Sequence, residues 1–199
     1  MKGPREVAVA AEKAVLRRRL RAARRALPPE AAARASADAS ARLARLPELV
    51  AARRVLAYAA VPGEVDVTAW VTARLAEGGE VYLPWVDGDD LRIARVTDLD
   101  LDLAAGWRGL REPRHTAGDL GADPGGLDAA VVPGVAFDSG GGRLGQGGGH
   151  LDRLLARLRT DAAVVGVAFD LAIVPRVPVE PHDVRVDAVV SESRVWRRD

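Results

Sequence analysis

The 199-residue chain contains no cysteine, which excludes a disulfide framework, thiolate metal ligands and a cysteine nucleophile. It has three histidines, His115, His150 and His182, and no two stand at metal-ligand spacing, so a zinc site is not expected. No GxSxG elbow offers a serine nucleophile. No apolar run approaches the length of a membrane span, and the N-terminus lacks the apolar core and cleavage site of a signal peptide. A cytoplasmic location and no membrane partner are therefore expected. The formal net charge is +1, which argues against a general polyanion binder. No aromatic residues interleave with the basic N-terminal segment, so nucleic acid is not an expected partner. Lysine is scarce while alanine, arginine, valine and glycine dominate, a bias that carries no functional information.

What is present reads as one domain over residues 1–199, long enough to bury a core. A basic helix is expected over about residues 7–27, ending before Pro28-Pro29. A second is expected from Pro29 to about Leu46, and a third from Val67 to Leu75 with Asp66 as its N-cap. Val55–Tyr58, Glu80–Trp85, Leu91–Val96, Ala129–Val132, Ala162–Ala168 and Val184–Val190 read as strands. Strands that alternate with helices predict an α/β fold: a three-layer sandwich with a mostly parallel sheet covered on both faces. Residues 97–126, which include Trp107, show weak periodicity and read as a long irregular crossover.

The stretch from Asp128 to Leu158 holds the strongest signal. An apolar run is followed by Pro133-Gly134, a glycine-dense loop, and leucines 151, 154, 155 and 158 at helical spacing. Strand, glycine loop and helix start present backbone N–H groups and a helix dipole to an anion. The loop, about residues 139–150, carries two prominent side chains, Arg143 and Gln146. It is not a Walker A loop, because no Gly-Lys-Ser/Thr follows, and the GxGxxG register at Gly140, Gly142 and Gly145 lacks the strand and helix that would give it meaning. Lys13 and Arg17 lie four apart on one helix face, where two cations could grip phosphates. Glu64 follows the turn Pro62-Gly63 near a strand end, where α/β proteins meet ligands. Trp85 reads equally as core or as a stacking surface. These parts suit phosphoryl transfer with Mg²⁺, and Asp152 and Asp183 are the candidate metal ligands. The alternative for Asp152 is a first-turn acid that favours the helix dipole, and for Asp183 a turn acid.

VPGVAFD followed by GGRLGQGGGHLDRLL resembles the phosphate-loop signature of the 5-formyltetrahydrofolate cyclo-ligase family, also called methenyltetrahydrofolate synthetases. EKAVLRRRLRAARRAL is similar to that family's KxxLRxxxxxxRxxL start, PGEVDV to its strand-end acidic motif, VYLPWV to its strand ending in Leu-Pro, GLREP to its Gly-Ile-x-Glu-Pro, and VPVEPHDVRVDAVVSE to its C-terminal signature. The resemblance implies ATP-dependent activation of the formyl oxygen of 5-formyltetrahydrofolate, attack by N10, and release of 5,10-methenyltetrahydrofolate, ADP and phosphate. It implies ATP contacts at Lys13, Arg17 and Arg143, and along Leu144, Gly145, Gln146, Gly147, Gly148, Gly149, His150 and Leu151. By the same resemblance Arg143 would take the catalytic role. The folate would meet Ala59, Glu64, Trp85, Gln146 and His150. Mg²⁺ would lie at Asp152 and Asp183. ATP and a small-molecule folate are the expected partners, and a monomer is expected. Three features depart from the family pattern: His150-Leu151 replaces Tyr-Tyr, Leu171-Ala172 replaces a stretch with Gln, and Leu91-Arg92-Ile93-Ala94 replaces a Met-containing strand. These departures keep a second expectation open, a paralogue that binds ATP or folate without turnover.

Overall fold

Prolines open the first three helices, at the position where a missing N–H costs nothing. A computed structural model describes residues 3–106, 109–114 and 118–198. Helix α1 spans Pro4–Arg25 and α2 spans Pro29–Leu43. The second helix stops short of the expected Leu46, because Pro47 holds Leu46 in an extended conformation and starts a separate short helix, α3, Pro47–Ala51. Then follow β1 Arg54–Leu56, α4 Thr68–Ala76, β2 Glu80–Asp87 and β3 Asp90–Val96. Helix α4 starts one residue later than expected and its N-cap is Val67, not Asp66; Asp66, one residue before the cap, still accepts from the Thr68 N–H at 2.9 Å.

Residues 97–126 are not an irregular crossover. β4 (Leu103–Ala105) and β5 (Arg111–Pro113) form a two-stranded hairpin, and β6 (Gly118–Ala122) joins the edge of the main sheet beside β3. Strands this short and edge-bound carry little apolar alternation, which is why the sequence hid them. Trp107 and His115 lie outside the described residues. The chain continues through β7 Ala129–Pro133, β8 Ala136–Phe137, β9 Arg143–Leu144, α5 His150–Leu155, β10 Ala163–Val167, β11 Ala188–Val190 and β12 Val195–Arg197.

The main sheet has eight strands in the order β12-β11-β10-β7-β1-β2-β3-β6. Its centre, from β11 to β2, is parallel, and β12, β3 and β6 add antiparallel edges. Central residues such as Val55, Leu56, Ala130 and Val131 are buried on both faces, hence the unbroken apolar runs. On one face α2 and α4 bring Leu43, Trp70 and Val71 against Val55, Val81 and Val131. On the other, Leu154 and Leu155 of α5 pack with Leu56, Ile93 and Val132. Helix α1 is fixed separately: Leu16 and Leu20 pack on Val135, Leu144, Val174 and Val177. Among the described residues no helix is long and apolar enough to cross a membrane.

Candidate active site

Strand order reverses at β1. The chain leaves β1 through α4 to reach β2 on one side, while β7 lies on the other side. Open parallel sheets leave a crevice outside the carboxyl ends of strands at such a point. A cavity of about 700 Å³ occupies it, bounded by Ala57 and Tyr58 after β1, Pro133 and Gly134 at the end of β7, and Pro84 and Val86 on β2.

The glycine stretch divides into two parts with different duties. Between β8 and β9, the Asp138 carboxylate accepts from the N–H groups of Gly140, Gly142 and Val177. That half is a structural turn and lies off the cavity wall. The second half, Gly145 to Gly149, lines the cavity, with left-handed φ of 115° at Gly147 and 67° at Gly149. Side chains rarely adopt those angles, so glycine is required there. The part of residues 139–150 that lines the cavity is therefore Arg143 to His150, and α5 ends at Leu155 although leucine spacing ran on to Leu158.

Arg143 is 3 % exposed and lines the cavity. Its Nη2 donates to Asp152 Oδ1 at 2.7 Å. Its Nε is buried without a hydrogen-bond partner among the described residues. A buried donor left without a partner is free to meet an acceptor that enters the cavity. Asp152 Oδ1 also accepts from the Val184 N–H at 3.1 Å, so one carboxylate oxygen is committed to holding Arg143 and the following turn.

From α1, the Lys13 ammonium donates to Glu180 at 2.7 Å and Asp183 at 2.5 Å. Burial pulls the Lys13 pKa down, but the hydrogen bonds to Asp183 and Glu180 outweigh it, and the net shift is upward. Arg17 Nε donates to the Gly145 carbonyl at 2.8 Å. Both cations line the cavity on the same helix face. Glu180, His182 and Asp183 offer ligand atoms within 4.8 Å of one another. Sequence reasoning singled out Asp183 alone. The run Glu-Pro-His-Asp was the visible signal for its two neighbours.

Glu64 lies across the cavity. The Tyr58 hydroxyl donates to Val65 O at 2.7 Å and closes the loop that carries Ala59 and Glu64. Burial raises the Glu64 pKa, opposed by the Val61 N–H, the nearby Arg24 charge and Gln146. Gln146 Nε2 reaches Glu64 Oε1 at 3.4 Å. Ala59, Gln146, His150 and Leu151 line the cavity too. Trp85 does not. Strand alternation turns Pro84 and Val86 toward the cavity, and Trp85 shares the opposite face with Leu83, so its expected folate contact is withdrawn. Sequence reasoning also missed Arg24, which is buried and donates to Gly134 O at 2.9 Å, and Arg21, whose guanidinium bonds Gln146. Both sat within a charge run that reads as a solvated face.

By fold and crevice the molecule is an open-sheet α/β protein whose topological switch point is lined by a glycine loop and by Lys13, Arg17 and Arg143. Within that class the chain belongs to the 5-formyltetrahydrofolate cyclo-ligase family, whose sequence profile matches residues 9–192. It is 32 % identical over 181 residues to the 5-formyltetrahydrofolate cyclo-ligase of Escherichia coli K12, covering 89 % of this chain and 98 % of that protein. The solved structure of Aquifex aeolicus 5,10-methenyltetrahydrofolate synthetase superposes with a TM-score of 0.83 at 36 % identity, covering 94 % of this chain and 92 % of the other. A 5,10-methenyltetrahydrofolate synthetase from Mycoplasma pneumoniae shares the fold, with a TM-score of 0.70 at 20 % identity over 91 % of this chain and 99 % of its own.

Proposed function

We propose that the protein is an ATP- and Mg²⁺-dependent ligase that closes 5-formyltetrahydrofolate to 5,10-methenyltetrahydrofolate, releasing ADP and phosphate. Family membership supports the reaction. The observation that carries its assignment to this cavity is that the Gly145–Gly149 amides share one space with Lys13, Arg17 and Arg143 and with Glu64. In this reading the loop from Arg143 to Leu151 holds the triphosphate. Its amides and the unpartnered Arg143 Nε receive phosphate oxygens. Asp152 keeps the Arg143 fork aimed while phosphoryl charge develops. Lys13 and Arg17 add positive charge from α1. The folate lies on the far side, between Ala59, Glu64, Gln146 and His150, so that its formyl oxygen faces the phosphates.

The donor set fits a hard divalent cation, which takes one or two carboxylates together with phosphate oxygens. Asp183 would hold it with Glu180 and His182 beside it; Asp152 stands outside that group, with its Oδ1 committed to Arg143 and the Val184 N–H. When bound, Mg²⁺ would neutralise phosphate charge.

The test is incubation with 5-formyltetrahydrofolate, ATP and Mg²⁺ while near-ultraviolet absorbance is followed. A methenyl chromophore that needs all three components is the expected result. No chromophore at saturating ATP would overturn the reading. Ligand binding without ADP release would favour a non-catalytic relative, the reading that the unusual His150-Leu151 pair motivates.

A further inference from the structure

Arg21 lies one helical turn beyond Arg17 and does not line the cavity. Its Nε reaches Gln146 Oε1 at 3.1 Å, and its Nη2 reaches the same oxygen at 2.5 Å and the Gln146 carbonyl at 3.2 Å. A guanidinium has only donors, so it dictates which end of an amide faces it. With Oε1 turned to Arg21, Nε2 is turned to Glu64. We infer that Arg21 is a positioning residue for the folate side of the cavity, locking the Gln146 amide so that Glu64 faces a donor and is itself kept as an acceptor. This rests on the proposed folate site.

The alternative rotamer shows why the lock matters. A Gln146 amide flipped by half a turn would set its oxygen against a Glu64 oxygen. That contact is tolerable only when Glu64 is protonated, and a protonated Glu64 would offer a hydrogen where a folate N–H must donate. Burial already pushes Glu64 toward the protonated form. The groups that face it are Arg24 from α1, Tyr58 from the end of β1, whose phenol senses both Glu64 and Asp66, the Val61 N–H, and Gln146 from the glycine loop. Arg21 makes no hydrogen bond to Glu64 among the described residues, so the proposed route to the carboxylate runs through Gln146.

The experiment is a carbon-13 NMR titration of the Glu64 carboxyl in the ligand-free protein, assigned with Glu64→Gln. Arg21→Met should raise its midpoint by roughly half to one pH unit, the scale of one hydrogen bond to a carboxylate. Arg21→Lys, still a donor without an acceptor, should restore most of the shift. In a Gln146→Met background, Arg21→Met should leave the midpoint unmoved. An unmoved midpoint in the single variant, or a shift that persists in the Gln146→Met background, overturns the relay. In turnover, Arg21→Met should raise KM for 5-formyltetrahydrofolate about threefold, more than it raises KM for ATP. An equal rise in both would mean that Arg21 merely tethers the loop. The titration needs no turnover, so it decides the relay even if the proposed reaction fails.

Discussion

Lys13 carries the clearest single-residue consequence. Its side chain and those of Glu180 and Asp183 are 7 %, 14 % and 10 % exposed, so the pair of ion bridges is largely desolvated. Removing one partner of a buried bridge leaves charge uncompensated. Lys13→Met should therefore lower unfolding free energy by about 3 kcal/mol in urea melts, and should abolish ATP binding measured by calorimetry. It should also free two carboxylates, so that Mn²⁺ binds the ATP-free variant more tightly than the parent. The same contacts set the pH dependence. The Lys13 hydrogen bond holds the Glu180 pKa below its ordinary 4.5. A lowered acid pKa stabilises the fold above the ordinary value, and that stability is lost as pH falls through the folded-state value. Lys13, raised above 10.5, contributes fully below that pH and loses its contribution as pH climbs past its folded-state value. Melting temperature should fall on both sides of this window, and Lys13→Met should flatten both limbs. Unchanged limbs would mean that the bridges do not form in solution.

At the scale of elements, the hairpin that precedes the glycine loop is seated on a buried ring. A Cβ on Gly166 of β10 would lie 2.3 Å from the Phe137 ring, and one on Gly134 would lie 2.6 Å from it. Phe137 is fully buried between these two glycines. It ends β8 and pairs with Arg143 of β9, the residue that the hairpin delivers to the cavity. Gly166→Ala should therefore overpack this contact and cost about 1–3 kcal/mol. At roughly 2–4 °C of melting temperature per kcal/mol, scanning calorimetry resolves the loss. Phe137→Leu in the same background should recover part of it. The chain's glycines thus serve two purposes that sequence alone merges: Gly147 and Gly149 supply unusual backbone angles, whereas Gly134 and Gly166 make room for Phe137.

At the scale of the whole molecule, the cavity is assembled from segments that have little else in common. Helix α1 touches the rest through Leu16 and Leu20, through Arg24, and through the Lys13, Arg17 and Arg21 contacts. A ligand that bridges α1, the loop and the 180–183 turn ties these parts together by mass action, worth about 2.7 kcal/mol at a hundredfold excess over Kd. MgATP should therefore raise the melting temperature and slow hydrogen exchange in residues 10–25 and 143–152 together. Protection of the loop without α1 would mean that the helix takes no part in binding.

The central strands, the presence of α4 and α5 and the glycine loop between strand and helix were legible in the sequence alone. Those features are local: apolar runs, prolines and glycines constrain their own backbone wherever the chain goes. A mostly parallel sheet followed from the alternation of strands and helices, while the strand order around β1 did not; the loop's arginine and the acids near strand ends were legible as types. Tertiary structure alone decided which glycines face the ligand and which face Asp138 or Phe137. It alone turned Trp85 off the cavity, since one residue of strand register separates the two faces. It alone paired Lys13 with Glu180 and Asp183, 167 and 170 residues away, and brought Arg21 to Gln146 and on to Glu64. Such pairings depend on where distant backbone segments meet, and no periodicity within a segment encodes the position of its neighbour.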